Sequence, residues 1–210
     1  MKNSWLISIL CFAFLSCRKD EPTSANDPVY AGPPVYAGIY DTSFSYYEFP
    51  IPAEIPVVWD SEGHQAWGHI WLDLYNDSTD DVRIDLTVDH PDSIYLDEAE
   101  GLWLGVGDSI QFAMCSELNC YQGSCNDRYS VDTLSYGDRI DDKNFIEAAG
   151  NYKMWNYWQW DVGSPSRGAW YYTSGTRYIA FQIDPFKYGW IEVEITDPEN
   201  PKIMSFAVQK

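Results

Sequence analysis

The chain has few basic residues and few histidines. Its 210 residues include 13 lysines and arginines and 3 histidines against 32 acids, which gives a formal net charge of −19. No basic stripe offsets these acids, so the surface repels phosphate backbones, and nucleic acid is not expected as a partner. The sequence also has neither a G-x-S-x-G nucleophile motif nor a phosphate-binding glycine loop. These absences favour a protein that is not an enzyme.

Apolar stretches long enough to cross a bilayer are also missing. The run from Trp5 to Leu15 has roughly 11 residues, whereas a membrane-spanning helix needs about 20. It follows the positive charge of Lys2 and ends at the small residue Ser16, which is the pattern of a secretory signal. Residues 1–16 are therefore predicted to be a signal peptide, and no later stretch approaches bilayer length.

The segment Phe14-Leu15-Ser16-Cys17 resembles the lipobox of bacterial lipoproteins, although Phe14 replaces the usual leucine. The resemblance implies cleavage before Cys17 and lipidation of its sulfur, with acyl chains such as palmitate as the membrane anchor. The charged residues Arg18 to Glu21 resemble an export tag for the outer face of the outer membrane. The expected location is thus the bacterial envelope. The alternative is an ordinary secreted protein with a chance cysteine.

Residues 17–40 are rich in proline, glycine and alanine. The pentapeptide Pro28–Gly32 recurs unchanged as Pro34–Gly38. Such a composition favours extended, polyproline-like conformations, so this segment is predicted to be a tether. Docking of its tyrosines onto the domain is the alternative.

From residue 41 to 210 the hydrophobic period is two. Apolar residues alternate with polar ones in Gly68–Tyr75 and again in Asp81–Asp89, as in half-buried strands. No window sustains a helical stripe for three turns. Further strands are expected at Ser93–Leu96, Ser109–Met114, Arg177–Ile183, Trp190–Ile195 and Ile203–Val208. Many short amphipathic strands predict an all-β fold, a single antiparallel β-sandwich or jelly-roll-like domain.

The loop between the first two strands is rich in acids. Asp73, Asp77 and Asp81 occupy its first, fifth and ninth positions, and the segment resembles the Asp-rich calcium loops of exported bacterial proteins. Tyr75 and Ser78 depart from that pattern, at a ligand position and at the usual glycine. The resemblance implies a calcium site at these three aspartates. The alternative is a polar hairpin turn held by Asx hydrogen bonds.

The C-terminal part resembles an uncharacterised family of exported bacterial β-sandwich proteins. The matching segments are Arg177–Gln182, Tyr188–Val193, which contains Tyr-Gly-Trp-Ile, and Ser205–Val208. Members of that family often carry an Asp-rich hairpin near the start, where Asp73–Asp81 lies here. The resemblance implies the fold and no particular activity.

Three cysteines remain after the signal and the lipidation site. Cys115, Cys120 and Cys125 have a C-x4-C-x4-C spacing, and an oxidising envelope favours one disulfide among them. The spacing leaves all three pairings open.

Aromatic residues are densest between Tyr152 and Tyr172. Trp155, Trp158, Trp160 and Trp170 lie there among amides and acids, as in a platform that stacks on sugar rings. This predicts a glycan-binding site. The alternative is that these rings fill the core.

The segment Glu192–Asp197 echoes the acid spacing of jelly-roll glycoside hydrolases. Glu192 and Glu194 share a strand face roughly 6.5–7 Å apart, whereas retaining hydrolases hold their carboxyls about 5–5.5 Å apart. A hydrolase is therefore the distant alternative. The preferred interpretation is a lipoprotein that presents a non-catalytic binding domain for glycan or protein. Its rival is a structural envelope or matrix protein without a defined ligand.

Overall fold

The computed structural model describes residues 32–89, 100–106, 110–121, 124–143, 145–146, 152–157, 170, 173–184, 186–196 and 200–210. All regular elements in this part of the chain are β-strands. Within it, no helix is long and apolar enough to cross a membrane.

Twelve strands form two antiparallel sheets. The strands are β1 (Phe44–Glu54), β2 (Val57–Trp59), β3 (Gln65–Leu72), β4 (Val82–Asp89), β5 (Glu100–Val106), β6 (Gln111–Tyr121), β7 (Ser124–Val131), β8 (Phe145–Ile146), β9 (Tyr152–Tyr157), β10 (Gly175–Asp184), β11 (Lys187–Ile195) and β12 (Lys202–Gln209). The seven-stranded sheet has the order β1-β12-β11-β10-β6-β7, with β8 paired to β6, and the five-stranded sheet has the order β2-β3-β4-β5-β9. The predicted all-β sandwich is confirmed.

The core lies between the two sheets. In β4 the buried residues Val82, Ile84, Leu86 and Val88 alternate with polar ones, as the period of two predicts. They pack in one cluster with residues of the other sheet, among them Phe112, Ile179, Ile191 and Phe206. Each large apolar side chain buried in this way contributes about 1.5–3 kcal/mol relative to an exposed one. This layer fixes which face of each sheet points outward.

Predicted strands agree with β3, β4, β6, β10, β11 and β12, with shifted ends. For example, β3 begins at Gln65 and ends at Leu72, because Asp73 already belongs to the turn. The expected strand at Ser93–Leu96 lies outside the described residues. Six strands were not predicted: β1, β2, β5, β7, β8 and β9. For β1 and β2 the reason is that prolines interrupt the sequence around them.

The predicted tether is wrong for its last part. Val35 and Ala37 are buried against the outer face of the seven-stranded sheet, and Tyr36 forms an antiparallel bridge with Arg139. The domain therefore includes the residues from Pro34 onward, not only those from 41. The burial of two small apolar side chains and a set of backbone hydrogen bonds outweighs the extended preference of the segment. Residues 17–31 lie outside the described part of the chain.

Candidate functional site

The outer face of the five-stranded sheet carries a row of exposed aromatic side chains on β3. Ala66, Ile70 and Leu72 turn toward the core, so the alternate residues Trp67, His69 and Trp71 point outward. Trp67 is 52% exposed and Trp71 is 43% exposed. Two tryptophans on the solvent side of an amphipathic strand keep a large apolar area in water. This row, Trp67, His69 and Trp71, is called the β3 aromatic row below.

Strand β4 places polar groups beside the β3 aromatic row. The register pairs Trp67 with Thr87, His69 with Asp85, and Trp71 with Arg83. These three β4 residues are partly exposed. A hydroxyl, a carboxylate and a guanidinium thus lie one strand away from the three rings, about 5 Å across the sheet.

Arg83 links the rings to the charges. Its Nε donates a hydrogen bond to Asp85 Oδ2 at 2.8 Å, and its Cζ lies 5.5 Å from the centroid of the Trp71 ring. The ring of His69 meets Trp71 edge-on, with a centroid distance of 6.2 Å. A cation near an indole face contributes about 0.5–1 kcal/mol at an exposed site. These contacts hold Trp71 in one orientation.

The face continues onto the neighbouring strands. On β2, Val58 is opposite Trp67 and is exposed. On the other side, the β5 backbone from Gly101 to Gly105 lies beside Thr87, Asp85 and Arg83. The result is a broad sheet surface, where aromatic rings and hydrogen-bonding groups alternate. Trp67 and Trp71 are four residues apart on one strand, which separates them by about 13 Å.

The predicted calcium loop is a turn held by its own carboxylates. Asp73 Oδ1 accepts a hydrogen bond from the Asp77 N–H at 3.1 Å, and Asp73 Oδ2 accepts one from the Ser78 N–H at 2.8 Å. Asp77 Oδ1 accepts the Thr79 N–H at 2.8 Å. Asn76 and Ser78 adopt positive φ angles of 55° and 70°, and the Asx bonds support that tight path.

Asp81 closes the same loop. Its Oδ2 accepts hydrogen bonds from Leu74 N–H at 2.7 Å and Tyr75 N–H at 3.2 Å. Partial burial raises the pKa of Asp81, and the negative charges of Asp77 and Asp73 raise it further. The hydrogen bonds from Leu74 and Tyr75 lower the pKa, but by less. Within the described residues, no group of three or more Asp, Glu, His or Cys side chains is arranged to hold a metal ion. The arrangement matches the Asx-turn alternative.

Of the four tryptophans predicted to form the aromatic platform, Trp170 is the one whose side chain the structure describes. Trp170 is 1% exposed, and its indole N–H donates to the carbonyl of Val131 at 3.0 Å. The prediction that Trp170 binds a ligand is therefore wrong, because its ring is part of the core. The backbone of Trp155 lies in β9, and its side chain is outside the described part, as are Trp158 and Trp160.

The rings that are exposed were missed, although the signal was present. The alternation in Gly68–Tyr75 already assigns Trp71 to the polar face of its strand. A tryptophan on the solvent side of an amphipathic strand is better evidence for a binding surface than a dense aromatic stretch, since dense aromatic stretches also build cores.

The register of the β6–β7 hairpin limits which of the three cysteines can form a disulfide with each other. Cys120 is the Cα partner of Cys125, and directly opposed residues lie about 4.5–5.5 Å apart, within the range of a disulfide. Cys115 is the partner of Ser130, five residues back along β6, which is about 16 Å from Cys120. Among the three pairings predicted, the register is compatible with Cys120–Cys125.

Cys115 is itself disulfide-bonded, so it is not the spare thiol that such a pairing leaves. Its Sγ also lies 3.5 Å from Ser130 Oγ in the buried layer. Cys120 and Cys125 lie at the far end of the hairpin, about 16 Å from Cys115 along the strands. Cys11 and Cys17, the other cysteines of the chain, lie outside the described residues.

Glu192, the acid of the hydrolase alternative, is engaged on the outer face of the seven-stranded sheet. Its carboxylate accepts a hydrogen bond from the Ser205 hydroxyl and one from the Tyr178 hydroxyl at 3.4 Å. Burial, followed by the charge of Glu192, raises the pKa of Tyr178 to about 12. These contacts anchor Glu192 in a packed layer.

No family model, no curated protein and no solved structure matches the chain.

Proposed function

We propose that this chain is a non-catalytic binding domain that takes a glycan on the β3 aromatic row. The observation that carries the proposal is the outward orientation of Trp67 and Trp71 with His69 between them, on a sheet face that no described segment of the chain covers. The binding class favoured by the sequence is retained, and the site moves from Trp155–Trp170 to β3.

The chemistry of the face fits a sugar chain better than other ligands. Indole rings cover the apolar C–H face of a pyranose, while His69, Thr87 and Asp85 supply donors and acceptors for its hydroxyls. The distance of about 13 Å between the tryptophans exceeds the width of one sugar ring, so a chain of several sugars is the expected ligand. Strong negative net charge disfavours polyanions, which leaves neutral glycans.

The test is binding of the purified protein to an array of neutral and acidic glycans, followed by titration of the best ligand. Trp67→Ala and Trp71→Ala should each weaken binding at least 10-fold, with the melting temperature retained. Phe186→Ala is the matched control, since Phe186 is similarly exposed but lies in the turn between β10 and β11, away from the five-stranded sheet. Unchanged affinity in both tryptophan variants contradicts the proposal. An array without any bound glycan favours the structural role.

The second part of the proposal is the anchor. We propose that Cys17 carries a lipid that holds the domain at the bacterial outer membrane, because the lipobox-like segment and the charged residues after it precede the domain. Cys17→Ser should move the protein from the membrane fraction into the soluble fraction. Peptide mass analysis should find acyl chains on Cys17. A Cys17–Cys115 disulfide in the mature protein would exclude a thioether on the same sulfur and overturn this anchor.

A further inference from the structure

The segment Val35–Gly38 lies in a slot on the outer face of the seven-stranded sheet. The slot is the surface formed by Leu134, Ile140, Tyr178 and the loop 136–141. Val35 and Ala37 belong to the same buried cluster as Leu134, Ile140 and Tyr178, and Ala37 is 0% exposed. The segment is thus bound like a short peptide ligand that happens to be part of the same chain.

Backbone hydrogen bonds hold the segment in one register. Ala37 N–H donates to the Asp138 carbonyl at 2.9 Å, and its own carbonyl accepts from Gly137 N–H at 2.9 Å. Val35 N–H donates to Asp141 Oδ1 at 2.9 Å, and its carbonyl accepts from Ile140 N–H at 2.7 Å. Backbone bonds of this kind do not depend on which side chain the peptide carries.

Selectivity comes from three positions. Val35 and Ala37 are 3% and 0% exposed, so a larger side chain at either position would overpack the slot. Gly38 has a φ of +73°, and a Cβ there would lie 2.6 Å from Tyr136 Cδ2 and 2.8 Å from Tyr178 Cζ. The slot therefore favours small apolar residues at positions 35 and 37 and glycine at position 38, as in Val-x-Ala-Gly. Tyr36 points partly to solvent and contributes less to the choice.

The chain contains this peptide twice. Pro28–Gly32 has the same five residues as Pro34–Gly38, six positions earlier (34 − 28 = 6). Every side chain that the slot selects is therefore present in the upstream copy. Both copies have a high effective concentration at the slot, because the linker between them is short.

We propose that the slot is a peptide-binding site that accepts either copy, so that the segment exchanges between two registers. The downstream copy is the major occupant, because Ile39 N–H donates to the Tyr36 carbonyl at 3.2 Å and the equivalent residue after the upstream copy, Pro33, has no N–H. Tyr40, two residues after the downstream copy, also stacks on Tyr46 with ring centroids 3.9 Å apart, whereas Pro34 holds the equivalent position after the upstream copy.

The exchange changes lengths on both sides of the slot. In the upstream register the linker to β1 grows from residues 39–43 to residues 33–43, and roughly doubling a loop adds only a small closure cost. The segment before the slot loses six residues, about 19 Å of extended chain at about 3.1 Å each. With the lipid anchor proposed at Cys17, this exchange between the two registers would set the distance between the membrane and the domain. The exchange itself does not depend on that anchor.

Disulfide trapping tests the exchange directly. Tyr36 and Arg139 are bridge partners, so Tyr36→Cys with Arg139→Cys should trap the downstream register. Tyr30→Cys with Arg139→Cys should trap the upstream register, more slowly but to high yield. Pro33→Cys with Arg139→Cys is the matched control, because residue 33 lies in neither register opposite Arg139. Peptide mass mapping separates these bonds from those of the native cysteines.

The outcomes are distinct. A Tyr30→Cys bond that forms at least 10-fold faster than the Pro33→Cys bond supports the exchange, and equal rates overturn it. Bonds found only between two molecules, as concentration-dependent dimers, overturn exchange within one chain.

Stability gives an independent readout. Ala37→Arg should lower the melting temperature, and adding Ala31→Arg should lower it clearly further, whereas Ala31→Arg alone should have no effect. A double variant that equals Ala37→Arg also overturns the proposal.

Discussion

The outer faces of both sheets carry tryptophan side chains, but those described are buried on the seven-stranded sheet and exposed on the five-stranded sheet. On the seven-stranded sheet, Trp190 lies under Tyr40 and Tyr46, with centroid distances of 6.2 and 6.0 Å, and is 1% exposed. On the five-stranded sheet, Trp67 and Trp71 remain in water. The difference arises because the chain's own segments, residues 34–40 and 134–141, cover the first face.

The comparison shows that coverage, not residue type, decides what an aromatic side chain on a sheet does. A covered ring contributes to stability through the apolar area that it removes from water. An uncovered ring contributes little to folding and is available to a ligand. The two faces should therefore respond differently to the same substitution.

The largest effect is expected for Trp190→Ala, which should lower the free energy of unfolding by about 3–5 kcal/mol, because a buried ring leaves a cavity. Trp71→Ala should cost less than about 1 kcal/mol, since its ring is partly exposed. Urea unfolding at constant slope measures both. A loss of similar size in Trp71→Ala would show that the β3 aromatic row is covered, and the comparison would fail.

High pH should destabilise the covered face. The pKa of Tyr178 is raised to about 12 in the folded protein, so its contribution is complete below the unfolded value of 10.0 and is lost as the pH rises to about 12. The loss should be on the order of 2 kcal/mol. Tyr178→Phe should melt with a weaker dependence on pH in this range. Tyr136→Phe, at an exposed ring, should behave like the unchanged protein.

The hairpin that joins β3 to β4 should depend on hydrogen bonds rather than on a metal. Asp73→Ala removes acceptors for two backbone N–H groups and should cost about 1 kcal/mol. Addition of EDTA or of calcium should leave the melting temperature of the unchanged protein the same. A clear rise with calcium that disappears in Asp73→Ala would restore the calcium site at Asp73, Asp77 and Asp81.

The smallest effect on stability is expected for Arg83→Met, at about 0.5 kcal/mol, because a partly exposed ion pair and a cation–π contact near the surface are both weak. The same substitution frees Trp71 to rotate, so glycan affinity should fall more than stability does. Calorimetric titration and thermal melting measured on one preparation separate the two. Lys202→Met breaks an exposed ion pair with Glu54 at 3.0 Å and serves as the control.

Part of this architecture is readable from local patterns. Val82 to Val88 alternate so regularly that strand, inner face and outer face follow from the period of two. The strand β1 was missed because Pro50 and Pro52 interrupt the alternation, and the structure accommodates them in an irregular stretch between Glu48 and Ala53. The site at β3 was missed for another reason. The local pattern predicts that Trp71 lies on the outer face of its strand, but it does not predict whether another segment covers that face.

The amino-acid order by itself determined the all-β class, the acidic surface and the identity of many core positions, because alternation and charge are properties of neighbouring residues. Tertiary structure decided that Trp170 is core, that Trp67 and Trp71 are surface, and that Val35 and Ala37 belong to the domain. Each of these depends on contacts between residues far apart in the chain. Burial is set by what packs from the other side, and no local window contains that information.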